Sequence, residues 1–540
     1  MGRTKKVVEP VVEEPVVSEE EKAPKEEAIV EEPKAKNVSK FDKFFGITAS
    51  GSSIRIEIIA GIATFLAMAY ILTVNPNQIL YGGTSDPRWS SIFIATAFGA
   101  IIGTLLMALL AKLPLAQAPG LGLNSAVGAL VGGASGAFAG ASLPLGSALL
   151  LVLISGLVFL LLSVIPGGKE KGTGRLIALR EKIFEGMPAA IRIAVPVGIG
   201  LFIAFIGFQN ASVIVNNDYT LVSLVNLGDW ELYKDGGPAC QALVCIFGLI
   251  VIAILSHCKV KGAVIFGILA ATVLGLPLGV TNIDVLLGKT DGVTWKFWEN
   301  FSNYFSMDPE NGGVFFAIFT EGFSGFNSSM IMPSIVTVIS FCMIDMFDTM
   351  GTCVGCCSNA GLLDENGKPV NYSKIMYSDS IATCVGAALG TSTVTTFVES
   401  GVGVAAGGKT GLTALVTAVL FLLAIFILPV FAFVPSAAAA CALVYVGVLM
   451  MKSVVDIDFK SIKNAVPAFL TIIMMPLSYS ITTGIGVGII TYVIISVIVY
   501  ICDLIKFKAC KDETVEKPVF DVSIVMFVVF ALFLVYFLTQ

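Results

Sequence analysis

The sequence predicts an all-α, polytopic membrane protein, and three observations lead to that fold class. Of its 540 residues, 56% are hydrophobic and only 13% are charged, whereas soluble domains carry about 25% charged residues. Apolar runs of about 20 residues, the length that crosses the hydrocarbon region of a bilayer, recur along the chain. The mean hydropathy of +0.88 agrees with both. We therefore expect about 14 transmembrane spans in a lipid bilayer.

The N-terminal region, residues 1–40, differs from the rest of the chain. It holds ten glutamates, several prolines and repeated Val-Val-Glu or Glu-Glu-Pro units. Such a segment cannot bury enough apolar surface to offset the entropy lost on ordering. We expect a disordered acidic tail, and no signal peptide, because no apolar run follows the early basic residues.

Twelve apolar runs predict uninterrupted spans. They lie near 55–74, 91–111, 145–166, 190–209, 240–257, 262–279, 331–352, 375–390, 412–433, 436–451, 466–481 and 485–502. Two further segments, 115–131 and 391–406, are apolar but rich in Gly, Pro, Ser and Thr. Counting both as spans 3 and 10 gives fourteen.

The distribution of basic residues tests this count. With the N-terminus in the cytoplasm, nineteen Lys and Arg fall in cytoplasmic loops and four on the opposite side. This is the bias that membrane insertion produces, and it would weaken if either irregular segment failed to cross. A further apolar run at 519–540 is either a fifteenth span or a helix packed against the bundle.

The two irregular segments predict the binding site. LAQAPGLGLNSAVG runs from Leu115 to Gly128 and GTSTVTTFVESGVG from Gly390 to Gly403, so that Asn124 aligns with Glu399. Interrupted spans at matching places in two halves of a transporter point to its site. We expect a short extended stretch in each, leading into a half-helix whose free backbone N–H groups face a ligand. The alternative is a pair of Gly-rich packing helices, which are common in membranes.

Carboxyl groups at membrane depth are the second indication of function, because insertion of each costs about 2.5–3.5 kcal/mol. Glu399 is one, and Asp345 and Asp348 share a helical face at i, i+3 spacing, with Asp345 the deeper. Glu57 and Asp379 fall at predicted helix starts, where a negative charge suits the dipole, so we interpret both as structural. No histidine lies at the predicted membrane centre. We therefore expect a carboxyl group to couple protons, and Glu399 is a better candidate than Asp345 or Asp348.

A metal site is not expected. Cys353, Cys356 and Cys357 form a CxxCC cluster, but zinc needs about four ligands and the only histidine, His257, is remote in sequence. We expect no metal and no cofactor.

Several motifs resemble one family. TFLAMAYILTVNP, APGLGLN, FDTMGT, GTSTVTTFVES, AAGGKTGLT and PAFLTIIMMPLSYSI occur in this order between about Phe41 and Ile501. Together they resemble the AzgA-like hypoxanthine, guanine and adenine permeases of the nucleobase–cation symporter superfamily. Family members often have another residue in place of Gln117, which could tune substrate choice.

The resemblance implies two inverted repeats of seven spans, with a core domain that slides against a gate domain, and gate domains that often form a homodimer. The core would hold spans 1–4 (41–166) and 8–11 (314–433), and the gate spans 5–7 (188–280) and 12–14 (434–502). Residues 503–540 would be a basic linker and the extra hydrophobic segment.

The resemblance also implies the roles of the site residues. The function expected is proton-coupled uptake of purine nucleobases across the plasma membrane, with no enzymatic activity and no nucleic-acid partner. Substrate-binding residues would be Asn124, Asp345, Glu399, Gly122, Thr395 and Thr396. Glu399 and Asp345 would couple protons, and Asp348, Thr349, Ser125 and Ser400 would support them.

Three alternatives stay open at this point. A uracil or xanthine permease, or an anion transporter, could use the same fold, although FDTMGT and FVES favour the purine branch. The DxxD of DMFD could bind magnesium in a membrane-embedded enzyme, but such enzymes usually need a second acidic cluster at similar depth. A passive channel would lack proton dependence.

Overall fold

The structure is a computed structural model that describes residues 40–80, 86–133, 141–169, 176–217, 219–260, 262–289, 293–306, 308, 312–364, 368–509, 520 and 522–539. Residues up to Phe44 form one unit, and Phe45–Gln540 form a second, which is the helical bundle. The acidic tail, residues 1–39, and residues 519, 521 and 540 lie outside the described part, and the expectations for them are not tested.

The first half of the described chain is mainly helical. Its elements are α1 (Lys40–Phe45), α2 (Ile54–Met68), α3 (Ile71–Ile79), α4 (Trp89–Leu106), β1 (Gln117–Pro119), α5 (Leu121–Val131), α6 (Leu145–Val164), β2 (Pro166–Lys169), β3 (Leu176–Ala178), α7 (Leu179–Gly186), α8 (Ala189–Asn210), β4 (Ile214–Asn217), β5 (Leu221–Leu224), α9 (Pro238–His257), α10 (Ala263–Gly275), α11 (Ile283–Leu286) and α12 (Phe297–Phe305).

The second half of the described chain is also mainly helical and contains one short strand. Its elements are α13 (Ala317–Thr320), α14 (Ile331–Ala360), α15 (Tyr372–Leu389), β6 (Val394–Thr396), α16 (Ser400–Ala405), α17 (Gly411–Ile425), α18 (Leu428–Ala432), α19 (Ser436–Met450), α20 (Ile462–Leu477), α21 (Ile481–Ala509) and α22 (Ile524–Thr539).

Each apolar run identified in the sequence contains a helix. Within the described residues, eight helical stretches are long and apolar enough to cross a membrane, and five shorter apolar helices accompany them. The chain is therefore a multi-pass helical membrane protein, while the count of fourteen spans and the inverted repeat stay predictions. Of the 519–540 run, the structure describes α22, which packs along α21 and also contacts α14.

Span 1 is not one continuous helix. It divides into α2 and α3 at Ala69 and Tyr70, where the Leu72 N–H donates to the Ala69 carbonyl and the Thr73 N–H to the Tyr70 carbonyl. These i to i+3 bonds form a tighter turn at mid-span, while Ala69 and Tyr70 keep right-handed helical dihedral angles. This break could not be predicted from the sequence, because the apolar run continues through it.

Packing brings the helices into two sets. In one, α17 packs on α2 and α4, and α15 packs on α4 and α6. In the other, α8 packs on α19 and α20, α20 packs on α21, and α9 packs on α10 and α19. Small residues permit close approach: a Cβ on Gly61 would lie 2.6 Å from the Thr413 carbonyl oxygen.

Glu57 has the structural role that the sequence suggested. It lies in the first turn of α2, and its carboxylate accepts the backbone N–H groups of Lys409 and Thr410 and the hydroxyl of Thr413. These groups belong to the start of α17, whose positive dipole end favours a carboxylate. Glu57 therefore fastens α17 to α2.

Candidate functional site

The two interrupted segments meet as a two-stranded antiparallel sheet. Gln117 lies opposite Thr396, and Pro119 lies opposite Val394. Helix α5 follows β1 and α16 follows β6, so the two helices begin at opposite ends of the paired strands. Both strands are buried, and their pairing satisfies backbone groups that would otherwise be orphaned inside a membrane. The predicted extended stretches and half-helices are confirmed.

Asn124 joins the two segments. It lies in the first turn of α5, fully buried. Its side-chain N–H group donates to the Pro119 carbonyl at 3.3 Å, and its carbonyl oxygen accepts the Ser392 hydroxyl. Gly122, two residues earlier in the same turn, packs towards Ile199 of α8, since a Cβ there would lie 2.8 Å from the Ile199 Cγ2. Both the N–H group and the carbonyl oxygen of the Asn124 side-chain amide are therefore hydrogen-bonded to other protein groups.

The two serines expected to support the site, Ser125 and Ser400, each bond to a neighbouring segment. Ser125 accepts the side-chain N–H of Gln78 at 2.8 Å and donates to the Leu121 carbonyl. Ser400, the first residue of α16, accepts the Ala116 backbone N–H at 3.0 Å. Each hydroxyl therefore fixes the start of its half-helix to another segment.

Asp345 and Asp348 occupy α14 with different surroundings. Asp345 is 1% exposed, and the Thr383 hydroxyl donates to its Oδ2 at 2.8 Å. Its Oδ1 accepts no hydrogen bond from any residue that the structure describes. Asp348 is partly exposed. Asp345 is the more deeply buried of the two, and its greater depth in the membrane stays a prediction.

The threonines of β6 connect this strand to α14. The Thr349 and Thr395 hydroxyl oxygens lie 2.6 Å apart, and the Thr396 backbone N–H donates to Thr349 at 3.5 Å. Thr395 and Thr396 are both buried. The strand is thus held against the turn of α14 that follows Asp345.

Glu399 is bound by a residue that the sequence analysis did not select. Glu399 is the residue before α16, and the Tyr70 hydroxyl donates to its Oε1 at 2.6 Å. Tyr70 lies at the break between α2 and α3 and is 2% exposed. The span-1 break therefore directs a hydrogen-bond donor at this carboxylate.

The interpretation of Asp379 as a helix-start residue is wrong. Helix α15 begins at Tyr372, so Asp379 lies two turns inside it and is fully buried. Gln117 of β1 donates one side-chain N–H to Asp379 Oδ1 at 2.9 Å and to the Thr396 hydroxyl at 3.3 Å. Polar residues occupy the first turns of α15, so the apolar run begins later than the helix does. The predicted helix start was therefore too late in the sequence.

Four carboxyl groups therefore surround the β1–β6 sheet: Asp345, Asp348, Asp379 and Glu399. Within the described part of the chain, none of them forms an ion pair with Lys or Arg. Buried carboxylates of like charge repel one another and lose their hydration. This arrangement suits a site that takes up protons or ligands rich in N–H donors.

The cysteine cluster of α14 lies beside the segment that carries Glu399. Cys353, Cys356 and Cys357 are buried on α14, and the Cys356 thiol lies 3.8 Å from the Val398 carbonyl. No group of three or more His, Cys, Asp or Glu side chains arranged to hold a metal ion occurs among the described residues.

A narrow cavity lies beside the site, between the two packing sets. It is lined by Ala126 and Leu130 of α5, Phe202 of α8, Phe341 of α14, and Tyr479 in the turn between α20 and α21. The rings of Phe202 and Tyr479 meet edge to face at 5.5 Å. Further along α14, Gly351, Val354 and Gly355 are exposed.

A family comparison decides what kind of protein this is. The family model for the Xan_ur_permease group, described as "Permease family", matches residues 55–487. The chain belongs to this permease family. The match contains α2 to α20 and the start of α21, and with them every site residue described above.

Two curated relatives agree with the family. The guanine/hypoxanthine permease PbuG of Bacillus subtilis (strain 168) is 36% identical, over 91% of this chain and 99% of its own. The adenine permease AdeQ of Escherichia coli (strain K12) is also 36% identical, over 84% of this chain and 90% of its own. The resemblance to purine nucleobase permeases is confirmed, and both relatives are transporters.

A solved structure supports the fold. The transmembrane domain of the cyanobacterial bicarbonate transporter BicA aligns with a TM-score of 0.53 at 15% identity, over 79% of this chain and 97% of that one. At that identity the likeness concerns the fold alone. This permease therefore has the fold of a helical transporter.

Proposed function

We propose that this permease takes up purine nucleobases, with guanine and hypoxanthine first and adenine as a third candidate, and that protons drive it. The observation that carries the proposal is the set of four carboxyl groups around the β1–β6 sheet, without a basic partner among the described residues. Asp345 and Asp379 are buried, and Asp348 and Glu399 are half-buried. The purine permeases among its relatives support the choice of substrate.

The chemistry of the ligand matches that of the site. A purine has a flat edge on which N–H donors alternate with acceptors. Asp345 has one oxygen bonded to Thr383 and one that accepts no hydrogen bond from the described residues, so it can accept a ring N–H. The threonine hydroxyls of β6 can donate or accept beside it. Glu399 then carries the proton, which limits the negative charge that the loaded site holds.

We propose that the movement is of the elevator type. The set containing α2–α6 and α14–α18 is the core domain, and the set containing α8–α10 and α19–α21 is the gate domain. Phe202 and Tyr479 of the gate domain meet each other and line a cavity together with Phe341 of the core domain. The exposed Gly351 and Gly355 lie farther along α14, towards the predicted cytoplasmic side. The proton on Glu399 leaves with the purine at that side, after which the empty core returns.

Uptake measurements test the proposal directly. Cells that express the chain should accumulate labelled guanine, hypoxanthine or adenine above their external concentration, and a protonophore should abolish the accumulation. Uracil, xanthine and bicarbonate serve as competitors. Accumulation that resists the protonophore would contradict proton coupling. Uptake of labelled uracil or xanthine, with no uptake of guanine, hypoxanthine or adenine, would move the chain to another substrate branch.

The substitution Glu399→Gln tests which group carries the proton. The amide keeps the shape of the side chain and can still accept from Tyr70, but it cannot cycle a proton. Concentrative uptake should be lost, while exchange of labelled for unlabelled purine across the membrane continues. Proton-driven accumulation at the wild-type rate would remove Glu399 from the coupling step and leave Asp345 or Asp379.

A further inference from the structure

The second half of span 1, α3, is fixed to both interrupted segments. Asn75 donates to the hydroxyls of Thr96 and Thr391 at 2.6 and 2.8 Å, and Gln78 donates to Ser125 at 2.8 Å. Thr391 precedes β6 and Ser125 lies in α5. All of these side chains are buried. Helix α3 therefore has a defined position relative to the whole β1–β6 sheet.

This anchoring fixes the position of Tyr70. The residue lies immediately before α3, and the N–H groups of Thr73 and Val74 both donate to its carbonyl. Its ring is buried, and its hydroxyl reaches Glu399 across 329 positions in sequence. Because three polar contacts hold α3 in place, the Tyr70 hydroxyl is held within hydrogen-bond distance of the Glu399 carboxylate.

Few other groups influence this carboxylate. The titratable side chains that face Glu399 are Tyr70, Asp348 and Cys356. Of the three, only Tyr70 donates a hydrogen bond to it in the described part of the chain, and a donor stabilises the ionised form. Asp348 acts in the opposite direction, because two like charges repel.

We propose that Tyr70 is a positioning residue for Glu399, holding the ionised carboxylate in place after its proton has left and releasing it when the proton returns. The inference rests on the proposed proton-coupled transport and names a residue of the coupling step. Span 1 then contributes to coupling through its break, not through a contact with the purine.

The substitution Tyr70→Phe removes only the hydroxyl. Without a donor the ionised carboxylate is less stable, so Glu399 should keep its proton to higher pH. A hydrogen bond to a charged group is worth enough to move a titration by about one pH unit or more. The pH at which purine uptake falls to half on the alkaline side should therefore rise by about that amount, while purine affinity below that pH stays close to wild type.

Two controls separate positioning from general packing. Thr73→Val removes a buried hydroxyl three residues along span 1, which donates to the Phe431 carbonyl at 3.1 Å and to no carboxylate among the residues that the structure describes. The pH profile of this variant should match the wild type. In a protein that already carries Glu399→Gln, adding Tyr70→Phe should leave both the rate of purine exchange and its pH dependence as they are in Glu399→Gln alone. Coincident profiles for wild type and Tyr70→Phe, or an equal shift in Thr73→Val, would overturn the proposal.

A spectroscopic measurement keeps the inference independent of transport. Infrared difference spectra recorded on changing the pH contain the C=O stretch of Glu399, identified by its absence in Glu399→Gln. The pH at which the band forms should rise in Tyr70→Phe. An unmoved band would overturn the Tyr70 assignment, whereas a moved band in a protein that neither binds nor accumulates purines would contradict only the proposed function. If Tyr70→Phe does not fold, the frequency of the Glu399 C=O band in the wild-type protein provides the test. A frequency typical of a carboxyl group without a hydrogen-bond donor would overturn the assignment of Tyr70 as that donor.

Discussion

At the scale of single residues, the four carboxyl groups differ in what they touch. Asp379 is bonded to Gln117, Glu399 to Tyr70 and Asp345 to Thr383. A fixed protein donor limits what else an oxygen can accept. Asp345 Oδ1 and Asp379 Oδ2 each accept no hydrogen bond from the described residues, so each of these carboxyl groups has an oxygen left for a ligand N–H.

This difference predicts unequal effects of two isosteric substitutions. Asp345→Asn should cost about 1–3 kcal/mol of purine binding, because an acceptor facing ligand N–H groups becomes a donor. Asp348→Asn should cost less, since Asp348 is partly exposed and water can compensate. Calorimetric titration of the two purified variants with the transported purine measures both. A larger loss for Asp348→Asn would show that Asp348 is the one that binds the ligand.

The sequence identified some of these residues and not others, for a physical reason. Glu399, Asp345 and Asn124 stand out locally, as polar groups inside apolar or glycine-rich runs. Tyr70 and Gln117 act through contacts made 329 and 262 positions away. A tyrosine in an apolar run is unremarkable until its partner is known, and no periodicity encodes such a contact. The departure noted at Gln117 was the one available signal.

At the scale of elements, the site depends on how closely α5 approaches α3. Gly128 of α5 lies against the backbone of Gln78, so that a Cβ at this position would overlap the Gln78 carbonyl oxygen. The sequence predicted that α5 is an interrupted span, but not its register against β6 or α3. Strand pairing and helix contacts are set by the whole fold, and the apolar pattern specifies only which segments are helical.

Gly128→Ala should therefore destabilise the protein. Overpacking a tight contact costs about 1–3 kcal/mol, because α3 or α5 must shift and weaken the Gln78–Ser125 bond. The matched control is Gly351→Ala on α14, where a Cβ would meet nothing within 4 Å and alanine favours a helix. Thermal unfolding in detergent should show a lower midpoint for Gly128→Ala alone. Equal midpoints would mean that α3 and α5 are not held as closely as described.

At the scale of the whole molecule, α22 is the element whose role the sequence left open. It packs along α21 and touches both α14 and α7. The Ser523 hydroxyl donates to the Gly186 carbonyl at 2.9 Å, at the end of α7, and a Cβ on Gly486 would lie 2.5 Å from the Phe533 ring. In the proposed elevator, α22 belongs to the gate domain, and α14 moves past it.

A cross-link can test this assignment in the complete chain. A Cβ on Gly186 would lie 3.5 Å from the Ser523 Cβ, within the range that disulfides span. In the pair Gly186→Cys with Ser523→Cys, an oxidant should join α22 to the segment that leads into α8. Purine uptake should continue after oxidation, because both residues would remain with the gate domain throughout the cycle.

The two single substitutions serve as controls, since Cys258 and Cys502 are exposed and can also react. A gel shift that requires both introduced cysteines would show that the link has formed. Loss of uptake on oxidation, restored by a reductant and seen only in the pair, would mean that α22 moves with α14 and the core domain. The same chain would then carry its C-terminal helix along with the substrate, and the sliding surface would lie between α22 and α21.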